Sequence, residues 1–205
     1  MKNPFLIGET VYLRAVERED APVFLPWAND FDVTRHMLLH RPMSLAAEEA
    51  WIARIQEDKS YVVLSIVLRK GDRVIGNTAL HEIHSHNRHA SFGIMIGDKR
   101  EWGKGYGTEA TRLIVGHGFR TLNLHRIWLH VYEDNPRAIR SYEKVGFRRE
   151  GILRDHAFRN GHYGNVITMG ILRDEWAKDA RASDDGRGKA AKRRQPPRAS
   201  RRPKP

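Results

Sequence analysis

The sequence predicts a mixed α/β (α+β) domain, one sheet carrying helices on its faces. Three observations lead there. The hydrophobic period alternates along the chain between two and about 3.6 residues, in the order β-α-α-β-β-β-α-β-α-β-β. The helical stretches begin at capping residues, and the strand-like runs are separated by short Gly, Asp and Asn turns. No internal repeat is visible.

Val11-Tyr12-Leu13-Arg14 reads as the first strand, and Asp20 to Asn29 as a short helix with Pro22 in its first turn. Ser44 is a good N-cap for Leu45 to Asp58, where Leu45, Ala46, Glu49, Ile52, Ala53 and Ile55 form a helical stripe. Tyr61–Leu68 and Arg73–His84 are strands split by the turn Lys70-Gly71-Asp72. His89–Ile96 follows the polar turn Ser85-His86-Asn87-Arg88. A Gly-rich loop then leads into a helix over about Gly105–Leu122, with Ala110, Leu113, Ile114 and His117 on its inner face. Arg126–Tyr132 is a strand with Ile127, Leu129 and Val131 on one side. Asn135 as N-cap and Pro136 at the first helical position start the next helix, which Val145-Gly146 ends. Phe147–His156 and Asn165–Leu172 are the last strands, around the turn Arg159-Asn160-Gly161.

The 205 residues fit one domain, 1–180, and a basic tail, 181–205. The net charge of +11 is mostly in that tail, where ten Lys or Arg face two Asp; residues 1–180 hold 26 against 23. With no large apolar residue the tail is expected to be disordered. It reads as a solvated tail or, more sharply, as a weak electrostatic tether to RNA, ribosome or another polyanion. There are no cysteines, which removes disulfides, thiolate metal sites and thiol nucleophiles. No apolar run is long enough for a membrane span or a signal peptide, so the cytoplasm is the expected location. His81, His84, His86 and His89 have a suggestive spacing, but it falls across a hairpin turn, and no metal is expected.

The loop Arg100-Glu101-Trp102-Gly103-Lys104-Gly105-Tyr106-Gly107-Thr108 sits between a strand and a helix. A helix start presents unpaired N–H groups and a dipole that favours an anion, and glycines let the backbone approach phosphate oxygens. Arg100 and Lys104 add charge, and Thr108 a hydroxyl. The pattern is neither a Walker loop nor a G-x-G-x-x-G fingerprint. A plain connector would also need glycine for its turns. A second constellation strengthens the phosphate reading: Asn135-Pro136-Arg137-Ala138-Ile139-Arg140-Ser141-Tyr142-Glu143-Lys144-Val145-Gly146-Phe147. Asn135, Ala138 and Tyr142 share one helix face, with a small residue between two polar ones to admit a thin chain.

Together the two segments resemble the Gcn5-related N-acetyltransferase (GNAT) family. Arg100-x-x-Gly103-x-Gly105 is similar to its diphosphate loop. The pattern from Asn135 to Phe147, Lys144 included, resembles the RimJ/RimL branch that acetylates ribosomal protein N-termini. Val74-Ile75-Gly76, Leu124-His125-Arg126-Ile127 and Met169-Gly170-Ile171-Leu172 fit that branch too, so the likeness covers about residues 8–177. It implies a mostly antiparallel sheet in which one parallel pair, His89–Ile96 and Arg126–Tyr132, splays apart. Acetyl-CoA would be the cosubstrate. Its pantetheine arm would lie in the splay against Ile94, Met95 and Ile96, and its diphosphate on the N–H groups of Gly103, Lys104, Gly105, Tyr106, Gly107 and Thr108. Asn135 would bind the arm and Tyr142 would lie near the thioester sulfur. Such relatives are often homodimers.

The activity implied is transfer of acetyl to a primary amine: a protein N-terminus, a polyamine, an amino acid derivative or an antibiotic amine. The alternative is an acetyl-CoA-binding module whose tail contacts RNA or ribosome. A tyrosine, ordinarily near pKa 10, can serve a departing thiolate near 8.5 and stay neutral at pH 7. The base is open. Many family members carry a Glu where Ser91 stands, in Ala90-Ser91-Phe92-Gly93, and Ser91 cannot act as a base alone. Glu82 comes slightly ahead of His81 and His130, and a dedicated base is not required if neutral amine arrives. Trp27, Phe31, Met37 and the Arg41-Pro42 turn fall where relatives close over the acceptor.

Overall fold

The computed structural model describes residues 1–37, 41–159 and 161–178; the tail and its predicted disorder lie outside them. Eight strands form one sheet in the order β1-β2-β3-β4-β5-β6-β8-β7. They are β1 (Leu6–Ile7), β2 (Val11–Ala15), β3 (Val62–Leu68), β4 (Val74–His84), β5 (His89–Ile96), β6 (Arg126–Tyr132), β7 (Arg148–Arg159) and β8 (His162–Leu172). All pairs are antiparallel except β5–β6. The helices are α1 (Ala21–Ala28), α2 (Phe31–Thr34), α3 (Leu45–Glu57), α4 (Tyr106–Arg120) and α5 (Pro136–Glu143).

Alternation along the strands sends side chains to two cores. Leu64 and Ile66 of β3, Ile127 and Leu129 of β6 and Ile114 of α4 belong to the larger cluster. Val63 packs instead with Phe24 of α1 and Ile52 and Ile55 of α3. Helices therefore cover both faces, as the sequence predicts. Asp20 is buried beneath the second layer, with Arg14 donating to it at 2.7 and 2.6 Å and the Ser65 hydroxyl at 2.7 Å. This pairing satisfies charges that would otherwise be expensive to bury.

Several boundaries differ from the sequence reading. The two-residue β1 and the single-turn α2 are too short to show a period. β7 and β8 both extend to the turn at residue 161, because pairing across a hairpin continues through polar, exposed residues. Residues 173–178 are helical, and Trp176 packs against Phe119 at 5.7 Å between ring centroids.

One discontinuity organises the molecule. β5 and β6 pair only at His89↔Arg126, Ala90↔Ile127 and Ser91↔Trp128. Beyond these, β5 stays paired to β4 as far as Ile96, and β6 to β8 as far as Tyr132. The parallel strands thus part after Ser91 and Trp128, leaving ladder groups facing a gap. β4 and β5 meet so closely there that a Cβ on Gly76 would lie 2.0 Å from the Met95 carbonyl oxygen, so only glycine fits.

Candidate active site

A cavity of about 330 Å³ occupies the gap. Its floor is Ile94, Met95 and Ile96 of β5; its rims are the loop before α4 and the face of α5.

The loop is shaped by internal ion pairs. Asp98 is buried and caps the turn Lys99–Glu101, accepting from the Arg100 backbone N–H at 3.1 Å. The Arg100 guanidinium grips the same carboxylate at 3.0 and 2.9 Å, and Arg73 bridges Asp98 and Glu101. The Arg100 hydrogen bond, with help from Arg73, holds the Asp98 carboxyl down at about 2. Lys104 donates to Glu101 at 2.9 Å and, ahead of Arg73, keeps that carboxyl below its usual range.

The backbone then turns through Gly103 (φ +78°) and Gly105 (φ +91°), a left-handed region that other residues enter at a cost. A Cβ at either would meet nothing within 4 Å, so the space above the loop is open. Gly105 is the N-cap of α4 and supplies no side-chain cap. Among the described residues the six amides of Gly103 to Thr108 have no acceptor. Glu109, the acid in the first turn, bends away to the backbone N–H of Thr10 at 2.9 Å. An uncapped helix start facing open space fits a diphosphate.

α5 contributes the opposite rim. The Asn135 side-chain oxygen accepts from Ala138 N–H at 3.2 Å, which caps the helix and leaves its NH₂ to donate. Thr108 and Ser141 share a hydroxyl hydrogen bond of 2.7 Å that ties α4 to α5. The Tyr142 ring is wedged between Phe92 (5.9 Å) and Phe147 (6.0 Å). Its hydroxyl has no partner among the described residues, and burial pushes its pKa up to about 12.

Of the residues singled out from sequence, Ile94, Met95, Ile96, Gly103, Gly105, Tyr106, Gly107, Thr108, Asn135, Ala138, Tyr142 and Lys144 line this one cavity. Arg100, Lys104, Glu82 and Ser91 do not. The Arg100 and Lys104 side chains pair with Asp98 and Glu101 and brace the loop, while the Lys104 amide is one of the six open to a phosphate. Glu82 is exposed at an irregularity in β4 with φ +53°. Ser91 is buried and donates to the His81 carbonyl oxygen at 3.2 Å. Met37 lines the cavity, whereas Trp27 packs onto Gly97 and Phe31 is exposed. Among the described residues no group of three His, Asp or Glu is placed to hold a metal, and no helix is long and apolar enough to cross a membrane.

The structure also adds residues. Arg137 and Arg140 line the cavity with Lys144, and no acidic side chain pairs with any of them among the described residues. Their spacing of three and four along α5 was the available signal. Arg137 stacks on Trp102 at 4.0 Å, and the Trp102 indole N–H donates to the Ile96 carbonyl oxygen at 2.6 Å. On the far wall, Arg159 lies over Tyr132 at 3.9 Å and donates to Asp134 at 2.7 Å, with His36 3.5 Å from the same carboxylate.

Comparison with known proteins agrees with this geometry. The family profile described as the acetyltransferase (GNAT) domain matches residues 10–148. The spermidine N(1)-acetyltransferase of Escherichia coli (strain K12) is 33% identical over 173 residues, covering 82% of this chain and 89% of that one. An N-acetyltransferase p20 of Bacillus licheniformis, itself uncharacterised, is 31% identical over 176 residues, covering 84% and 98%. Among solved structures, the spermidine N-acetyltransferase of Vibrio cholerae in complex with CoA and spermine superposes with a TM-score of 0.77 at 30% identity, covering 83% and 99%. Two of these relatives are spermidine N-acetyltransferases by name, whereas the Asn135–Phe147 motif pointed to ribosomal proteins. The chain belongs to the acetyltransferase (GNAT) family and is an acetyl-CoA-dependent N-acetyltransferase.

Proposed function

We propose that the acceptor is a terminal primary amine of a small polyamine, and that Tyr142 assists departure of the thiolate. The observation that carries the second point is the Tyr142 hydroxyl on the cavity wall, which has no partner among the described residues. A phenol near 12 does not surrender its proton to a thiolate whose conjugate acid is near 8.5. Tyr142 instead stays protonated and donates a hydrogen bond as charge builds on sulfur, a stabilisation felt most strongly in a dry site. The Asn135 NH₂ and the ladder groups of Ile94 to Ile96 are suited to the two amides of a pantetheine arm, as an added strand would be. The amides of Gly103 to Thr108, with Arg140 and Lys144 opposite, suit the phosphates.

The polyamine rests on the relatives' named substrate. A second reading, a protein N-terminus, is favoured by the Asn135–Phe147 motif. Mass detection of the acetylated product, with spermidine, spermine and N-terminal peptides offered together, separates the two. In the same assay Tyr142→Phe should lower kcat by about 100-fold while acetyl-CoA affinity changes less than twofold. Binding of acetyl-CoA with no turnover of any amine would instead make the chain a binding module.

A further inference from the structure

Tyr142 reaches the gap from the side of the sheet that carries α4 and α5. The opposite side carries an imidazole. Leu129 and Val131 point into the core beneath α4, so His130 between them points the other way. It stands two residues beyond Trp128, the last β6 residue paired to β5, and lines the same cavity as Tyr142. Its ring is exposed, with Trp128 at 5.0 Å and His156 of β7 at 6.2 Å, and it makes no hydrogen bond among the described residues.

The other groups that could take a proton there are engaged or absent. Asp32 is held by Lys99 at 3.1 Å, Glu101 by Arg73 and Lys104, and His36 lies against Asp134. Ser91 and Glu82 lie outside the cavity. We propose that His130 accepts the proton of the incoming amine, a role that rests on the acetyl-transfer reading above.

An acceptor arrives as an ammonium ion, because such amines have pKa values near 10. His130 relays one proton to solvent, an uphill step that C–N bond formation then draws forward. The neutral nitrogen then forms the C–N bond as the C–S bond breaks. The second proton shed by nitrogen balances the one that sulfur takes up, so one proton is released for each amide formed. Partial burial of the ring, then His156, keep the imidazole below its ordinary 6.5, and Glu82 of β4 opposes them. Among the described residues the other titratable groups lining the cavity are His36, Asp32, Glu101, Tyr106, Tyr132, Tyr142 and Lys144, with Arg137 and Arg140. The ring is therefore neutral at pH 7 and ready to accept.

The test is the pH profile of spermidine acetylation by the full chain and by His130→Gln, with His130→Ala as a second variant. At pH 7 kcat should fall about 100-fold in both, with KM for acetyl-CoA within twofold. The deficit should shrink towards pH 10, where about half of the acceptor is neutral in solution. A wild-type kcat and unchanged pH profile in either folded variant would overturn the proposal while the acetyl-transfer reading stood. So would an equal loss in Glu82→Gln. If the unaltered protein turns over no amine, both readings fail together.

Discussion

Two helices open onto the same cavity, and they differ in how each satisfies its first turn and where each places its charge. α4 starts at Gly105 with no side-chain cap and a run of amides lacking acceptors among the described residues, while the cations beside it, Arg100 and Lys104, pair with Asp98 and Glu101. α5 starts at Asn135, which caps it from within, while Arg137, Arg140 and Lys144 beside it have no acidic partner among the described residues. One helix offers backbone donors on a braced loop; the other offers charge on a self-contained start. The contrast separates two jobs that a short motif runs together, close-range recognition by N–H groups and attraction by side chains.

The sharpest way to break this division is to spoil the uncapped start. Gly105→Glu should raise the acetyl-CoA Kd about 100-fold by calorimetry, through a carboxylate near phosphate and a strained left-handed residue. Gly105→Ala should show the backbone part alone, and an unchanged Kd in the Glu variant would remove the loop from the site. Next comes acid. The Asp98 carboxyl titrates near 2 in the folded chain against an ordinary 3.8. Its contribution is therefore present above about pH 4 and lost as pH falls towards 2, about 2 kcal/mol in all. Urea midpoints at pH 5 and pH 2.5 should show that loss, and Arg100→Gln should reduce it while changing acetyl-CoA affinity less than twofold.

A smaller effect sharpens the assignment of charge. Arg140→Gln combined with Lys144→Gln should weaken acetyl-CoA binding about tenfold and flatten its dependence on salt. If Arg100→Gln did the same, the division between the two rims would collapse. Smallest is the cap of α5: Asn135→Ala should cost about 1 kcal/mol in stability, read as a lower melting temperature, beyond any change in cosubstrate binding.

The sequence showed much of this, for reasons that are local. Ser44, Asn135-Pro136 and the alternating strands announce their elements because caps and periods act over a few residues. The glycines of the loop were legible for the same reason. What stayed hidden depends on partners distant in the chain. Arg73 reaches Asp98 and Glu101 across 25 and 28 residues, joining the pairs that Arg100 and Lys104 make with the same carboxylates. Arg159 and Asp134 meet across 25 residues. Glu82 was favoured as a base by type, but the irregularity of β4 after His81 leaves it exposed and off the cavity. No periodicity forecasts a bulge.

The three residue pairs between β5 and β6 have one more consequence. They are the whole of the ladder joining a five-stranded block to a three-stranded one. A molecule threaded through the cleft would stitch the two blocks along the length that the polypeptide leaves open. Loading with acetyl-CoA should then slow amide hydrogen exchange on both sides of the seam, in β4 as well as in β8. The enzyme would be stiffest while the cosubstrate is threaded through it, and loosest once coenzyme A has left.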